Sequence, residues 1–175
     1  VPVVSHFLQR LLSQLAFDTR FYALLGLLKT NAPTLLNGLW NTIWITFVSL
    51  AIATIIGVLL GLMRTSRISI LETIATIYID FMRGIPLIVL TFFIYFGIPQ
   101  ALNIRLDATI AAITTLGLNA AAYIAEIVRG GINAIDKGQS EAAMSLGLPY
   151  YKSMQKIILP QAIRLMVPSF INQFV

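Results

Sequence analysis

Apolar residues in this chain gather into long runs broken by short polar punctuation, and the punctuation predicts the elements. From Gly38 to Met63 the run is nearly unbroken, longer than the roughly 20 residues needed to cross a hydrocarbon core. Trp40 and Trp44 stand near one end and Arg64 and Arg67 follow the other, the aromatic and basic flanks that favour membrane interfaces. Ala53, Gly57 and Gly61 recur every four residues, a small-residue stripe that lets another helix approach closely without specifying which. Ile68 to Met82 places Ile70, Ile74, Ile77 and Phe81 against Glu72, Thr73, Thr76 and Asp80 at helical spacing. Leu87 to Ile98 completes the second span, ended by Pro99. Leu106 to Val128 is the third, rich in alanine and carrying Asn119 near its centre. A buried amide needs partners, so Asn119 either bonds a neighbouring helix or faces a pathway.

Arg83-Gly84-Ile85-Pro86 interrupts the second span. An arginine at mid-membrane costs about 2.5–3.5 kcal/mol on insertion scales, and proline removes a backbone donor. Together they predict a broken helix facing protein or water, or an arginine snorkelling at a helix end. Asp80, three residues earlier, is within pairing reach of Arg83. Ile157 to Val175 holds Gln161, Arg164, Asn172 and Gln173 besides Pro160 and Pro168, too polar for lipid on all sides and suited to an inner helix lining a polar path. At the other end, Phe7, Leu8, Leu11, Leu12 and Leu15 alternate with Gln9, Arg10, Ser13 and Gln14. That pattern predicts an interfacial helix over Val3 to Leu28, broken at Asn31-Ala32-Pro33. Residues 1–34 therefore read as an amphipathic segment and 35–175 as a transmembrane domain.

Composition agrees with an all-α integral membrane protein. Of 175 residues, 58% are hydrophobic and 11% charged, against about 25% charged in a soluble domain. The net charge of +5 comes from cations scattered between apolar runs, which reports topology and not nucleic acid. Arg64 and Arg67 flank one loop and Arg129, Lys137, Lys152 and Lys156 another. Two spans separate these loops, so they share a side, and the positive-inside rule makes it cytoplasmic. Arg10, Arg20 and Lys29 run against that assignment. There is no cysteine, so disulfide and thiol chemistry is excluded, and the lone His6 has no companion for a metal site. No Gly-x-x-x-x-Gly-Lys-Ser/Thr run for nucleotide phosphates occurs. The first residue is Val1 with no signal-peptide layout, so an upstream portion is expected.

The chemistry concentrates in residues 130–156. Asp136 and Gln139 have capping-box spacing, predicting a helix of about three turns to Leu146. Gly147 supplies a left-handed end and Pro149 prevents continuation, starting a second helix in its first turn. Glu141 suits the helix dipole, and Ala142 and Ala143 leave a bare surface able to lie in a partner's groove. Glu141-Ala142-Ala143, Gly147 and Ile157-x-Leu159-Pro160 fix seven positions. At residue frequencies of roughly 5–10%, a given start matches by chance on the order of once in 10⁸.

That pattern resembles the EAA loop of bacterial ABC importer permeases. Ala122-Tyr123-x-Ala125-Glu126-x-x-Arg129-Gly130-Gly131-Ile132, Gly138-Gln139, Arg83-Gly84-x-Pro86-Leu87, and Gly38 with Thr42 are similar to the polar amino acid uptake branch. The resemblance covers about Leu35 to Val175. Ile85 departs from the branch's usual threonine, and Leu90, before Thr91, from its frequent glutamine, which leaves a less polar pathway if those positions face it. The branch continues past Asn172-Gln173-Phe174 with a Lys-Asp-Thr-Ser stretch and a final span, so a permease lacking its last span is expected.

The resemblance implies a type I ABC importer transmembrane domain of about five spans, in the bacterial inner membrane, paired with the same or a paralogous permease. Two ATPase subunits would bind ATP and magnesium, and an extracytoplasmic binding protein or fused domain would deliver an amino acid. The chain itself would be a transport subunit without catalytic residues. Glu141, Ala142, Ala143, Gly147, Leu159 and Pro160 would couple to the ATPase. Arg83, Thr91 and Asn119, polar groups inside spans, are candidates for the substrate path. The rival is a secondary transporter or channel driven by an ion gradient, which explains the broken helix but not the short capped helix. A structural membrane subunit without a pathway is a third reading, against which Asn119 and Arg164 argue.

Overall fold

The computed structural model describes the backbone of residues 2–174 and the side chains of 21, 22 and 25–173. The amphipathic face read at Phe7 to Leu15, the charges of Arg10 and Arg20, and His6 lie outside the described side chains. Every element is helical: α1 Pro2–Arg64, α2 Ser69–Gly84, α3 Leu87–Phe92, a π-helical turn Phe93–Gly97, α4 Ile98–Leu102, α5 Ala108–Asn133, α6 Lys137–Ser145, α7 Tyr150–Ser153, a second π-helical turn Met154–Ile158, and α8 Leu159–Phe174. Among the described residues, Leu25–Arg64 and Ala108–Asn133 are long and apolar enough to cross a membrane; a third span results if the bent pair Ser69–Gly84 and Leu87–Leu102 counts as one. The chain divides into two compact units, Val1–Ile43 and Trp44–Val175.

In the first unit the break expected at Asn31-Ala32-Pro33 is absent, and the helix passes through Pro33. Proline deletes a single backbone donor, whereas breaking a helix in an apolar surrounding frees several groups with no water to satisfy them. Thr30 Oγ1 donates to the Gly26 carbonyl at 2.9 Å and Asn31 Nδ2 to that of Leu27 at 2.8 Å, so Asn31, expected to help interrupt the helix, instead folds back on it as Thr30 does.

In the second unit α5 is the central element. Its Ala121, Ile124 and Val128 pack with Ala53 of α1 and Ala162 and Met166 of α8. Its Ala125 packs with Ala75 and Ile79 of α2, and its Ala111 with Leu90 and Ile94. The alanines and glycines explain this crowding, since small side chains bring backbones together. Tyr78 Oη adds a bond from α2, donating to the Leu118 carbonyl at 2.9 Å.

The break after Arg83 is real, and α2 meets the following helix at 102°. Ile85 is extended (φ −99°, ψ 129°), as the residue before a proline is forced to be. Pro99, expected to end the span, instead lies just past the π-helical turn inside a helix that runs on to Leu102, where the widened turn accommodates a ring that cannot donate a backbone bond. The helix ends at Asn103, in the left-handed conformation at φ 54°, which asparagine tolerates.

Asp107 caps α5, its Oδ1 accepting from the backbone N–H of Thr109 at 2.8 Å and of Ile110 at 3.4 Å. Bonds from the Thr109 backbone, then its side chain, then the Ile110 backbone hold this carboxyl below the usual carboxylate range. A depressed folded pKa means that the cap stabilises above the ordinary aspartate range and is lost as pH falls through the folded value. The protection factors of the Thr109 and Ile110 amides, taken against the intrinsic exchange rate at each pH, are therefore expected to fall with acidification, and Asp107→Asn, which still caps, should flatten that dependence.

Candidate functional site

The short helix α6 forms where the sequence places it, between two local signals. Asp136 Oδ1 accepts from the Gly138 N–H at 2.6 Å. Gln139 contributes only its backbone N–H, to the Asp136 carbonyl at 3.1 Å, so the cap is Asp136 alone and not a reciprocal box. At the other end Gly147 is left-handed (φ 76°). Its N–H donates to the Met144 carbonyl at 2.9 Å, and the Leu148 N–H to that of Ala143 at 3.1 Å, the two bonds of a Schellman ending. Pro149 sits at the cap of α7, one position before its first turn.

Gly147 is held by conformation and not by crowding, because a Cβ there would meet nothing within 4 Å. An L-residue in this geometry costs about 1 kcal/mol. Gly147→Ala is expected to destabilise the α6 end by that amount and Gly147→Asn by less, read as hydrogen-exchange protection across Met144 to Leu148.

Ala142 and Ala143 do not form one bare surface. Neighbours on a helix point about 100° apart, and Ala143 is buried while Ala142 is exposed. The outward face of α6 carries Glu141, Ala142 and Met144, with Leu146 just beyond at 81% exposed. Leu159 packs on the core shared by α1, α5 and α8, and Pro160 is exposed near the start of α8. Of the six loop residues, Glu141, Ala142, Gly147 and Pro160 reach the surface while Ala143 and Leu159 hold the support. Tyr150 ties that support to the loop after α1, donating from its hydroxyl to the Thr65 carbonyl at 3.1 Å.

A second constellation centres on Glu126 of α5. Its Oε2 accepts from Arg64 Nη1 at 2.7 Å and faces Arg83 Nη1 at 3.7 Å. Its Oε1 accepts from Arg129 Nε at 2.9 Å and also from Arg129 Nη2. Arg64 Nη2 reaches Asp80 Oδ1 at 3.4 Å. The expected Asp80–Arg83 pair does not form. Asp80 is 61% exposed and Glu126 only 23%, so the more shielded carboxylate exerts the stronger field and draws Arg83 across to α5. Glu126 was missed as a centre by reasoning from sequence; the available signal was an acid inside an otherwise apolar helix, three residues before Arg129.

Cavities flank this cluster on two sides. One, of about 580 Å³, is lined by Arg64, Arg129 and Lys137 with Glu72, Asp136 and Ser140, beside α6. Another, of about 650 Å³, is lined by Arg83, Tyr123 and Glu126 with Ser169, Asn172 and Gln173 of α8. Arg83 thus faces protein and a polar space, with the Tyr123 ring 5.5 Å from its guanidinium carbon. Thr91 and Asn119 are not among the residues lining either cavity. Thr91 Oγ1 donates to the Leu87 carbonyl at 2.8 Å. Asn119 Nδ2 donates to the Met82 carbonyl at 3.2 Å, satisfying a backbone group beside the break in the second span. Among the described residues, no three His, Cys, Asp or Glu side chains come together as a metal would need.

Residues 53–175 match the family described as binding-protein-dependent transport system inner membrane component. The chain is 46% identical, over 80% of its length and 62% of the relative's, to the probable amino-acid ABC transporter permease protein YckA of Bacillus subtilis. It is 44% identical, over 82% of its length and 65% of the relative's, to the arginine transport system permease protein ArtQ of the same organism. It spans a little under two thirds of these curated relatives. Among solved structures, a crystal structure of an amino acid ABC transporter with histidines superposes with a TM-score of 0.77 at 37% identity, covering 83% of this chain and 67% of that one.

Proposed function

The chain belongs to the binding-protein-dependent transport system inner membrane component family, and from that membership we propose that it is the permease subunit of an ATP-driven amino acid importer. It is an integral membrane protein; its home in this reading is the bacterial inner membrane, crossed several times. Two permeases, the same or paralogous, enclose the path. Two ATPase subunits bind ATP and magnesium and do the hydrolysis, and an extracytoplasmic binding protein or fused domain delivers the cargo. Residues 1–34 form the interfacial segment, 35–175 the transmembrane domain, and 130–156 the coupling loop.

The observation that carries the reading is α6, a nine-residue helix closed by Asp136 and Gly147 and set between two apolar helices. Neither rival, gradient-driven transport or a passive structural subunit, requires such an element. Glu141, Ala142, Gly147 and the exposed Pro160 face the ATPase in this reading, while Ala143 and Leu159 are turned inward, and α6 packs on the π-helical turn that runs on into α8, so a push on α6 passes into α8. Amino acid cargo is supported by the relatives' names and by the cavity in which Arg83 stands with Ser169, Asn172 and Gln173, a cation and polar groups suited to the carboxylate of a free amino acid. Arg83 takes part in the path directly; Thr91 and Asn119, bonded to backbone carbonyls, shape its wall near the break.

The test is reconstitution of the full-length protein with its candidate ATPases. Glu141→Arg should abolish ATPase copurification and ATP-driven uptake together, at unchanged helix content. Retention of both would overturn the coupling assignment, and uptake following a proton or sodium gradient without ATP would establish the secondary transporter instead.

A further inference from the structure

The second unit also has an apolar groove apart from the two polar cavities beside Glu126, bordered on one side by Leu159 of the coupling set. Leu62, Tyr150, Tyr151, Met154 and Leu159 line a groove of about 360 Å³. Leu62 and Leu159 also line a second groove, of about 590 Å³, that continues along α8 past Ile163, Val167 and Ile171. Sharing Leu62 and Leu159, the two adjoin as one trough whose walls are mainly apolar, with Thr65, Ser66 and Gln155 also lining the smaller groove. Its mouth is cationic. The Arg67 guanidinium carbon lies 4.3 Å from the Tyr150 ring centroid, and the Lys152 ammonium 5.9 Å from that of Tyr151. Lys156 follows Lys152 by about one turn, and all three cations are exposed. None pairs with a described carboxylate, in contrast to Arg64, Arg83 and Arg129.

We propose that this trough holds one acyl chain of an anionic phospholipid whose phosphate rests among Arg67, Lys152 and Lys156. Charge complementarity selects the occupant. A mainly apolar trough accepts any acyl chain, but Arg67 and Lys152 beside its tyrosines, with Lys156 about one turn further on, favour an occupant that carries negative charge. Basic pockets between helices on the cytoplasmic side of a bilayer recognise acidic headgroups in this manner. Tyr150 and Tyr151 both line the groove, as amphipathic rings at a membrane boundary do, and the Tyr150 hydroxyl is held by the Thr65 carbonyl. Resting two cations on aromatic faces limits their motion and pre-positions them for the phosphate. The bound lipid would brace α7 against the end of α1, next to the Tyr150–Thr65 bond that supports α6.

The experiment uses the full-length protein in its assembled transporter, in nanodiscs doped with phosphatidylglycerol bearing a diazirine on one acyl chain. An equally labelled phosphatidylcholine serves as comparison, and crosslinks are mapped by mass spectrometry. Labelling of Leu62, Leu159 and Ile163 should favour phosphatidylglycerol. Arg67→Gln with Lys152→Gln should weaken that preference by roughly fivefold for each cation removed. Ile163→Trp, at an exposed position, should block the chain deeper in the trough and shift labelling toward Tyr151. Equal labelling by both lipids, unaffected by the cation variants, would overturn the proposal. So would the absence of lipid crosslinks with a photocrosslinker at position 163 capturing protein instead, because the trough would then be covered by another helix of the full-length protein or by a second copy.

Discussion

Replacing Glu126 with glutamine is expected to cost the protein most of its transport, lowering uptake at least tenfold, together with about 2–3 kcal/mol of stability, which lies between the values for exposed and buried pairs. Glutamine keeps the shape and removes the charge. Arg64, Arg83 and Arg129 would then share only Asp80, the most exposed member of the cluster. An exposed ion pair contributes about 0–1 kcal/mol, while unpairing a buried one costs about 3–5 kcal/mol. Glu126, at 23% exposed with three arginines on its two oxygens, falls between these limits. Transport suffers beyond stability because this carboxylate joins α1, α2 and α5 between the cavity beside α6 and the cavity lined by α8. Thermal unfolding of the purified protein and ATP-driven uptake in proteoliposomes read the two effects. Asp80→Asn is the control and should cost under about 1 kcal/mol; if it equals Glu126→Gln in both assays, the cluster has no centre at Glu126.

Gly61→Ala should be nearly as damaging, although it adds one methyl group. A Cβ at Gly61 would lie 2.6 Å from Val128 Cβ and 2.8 Å from the Ala125 carbonyl oxygen. At Gly57 it would lie 2.7 Å from the Ala121 carbonyl oxygen and from Ile124 Cβ. Backbone oxygens do not swing aside like a flexible side chain, so α1 and α5 must separate, at about 1–3 kcal/mol per site by the usual cost of overpacking. The two sites share one contact, so the double variant should cost less than the sum of the singles. Separation also draws Arg64, one turn beyond Gly61, away from Glu126, so uptake should fall with stability. Gly38→Ala is the contrast: its Cβ meets nothing within 4 Å, and the change should be neutral or stabilising by about 0.4–1 kcal/mol. Thermal midpoints of the two single variants at Gly57 and Gly61, their double and Gly38→Ala decide the matter, and Gly61→Ala behaving like Gly38→Ala would refute the close approach.

What the sequence determined by itself were the features whose causes act within a turn or two of helix. Apolar runs placed the helices, Arg83 to Pro86 placed the break, and Asp136 and Gly147 closed α6 at both ends, because caps and proline sterics involve residues only a few positions apart. The same local rules misjudged Pro33 and Pro99, since what a lost backbone donor costs depends on whether the neighbouring turn can widen around the ring and on whether water can reach the alternative. Only the tertiary structure decided that Ala143 turns inward and Ala142 outward, and that Arg83 abandons Asp80 for Glu126. Arg64 and Glu126 stand 62 positions apart. Their meeting depends on how closely α1 approaches α5, which Gly57 and Gly61 permit but which no periodicity in either helix reveals. Sequence spacing set which side chains share a helix face; helix packing chose which charges on those faces would find one another.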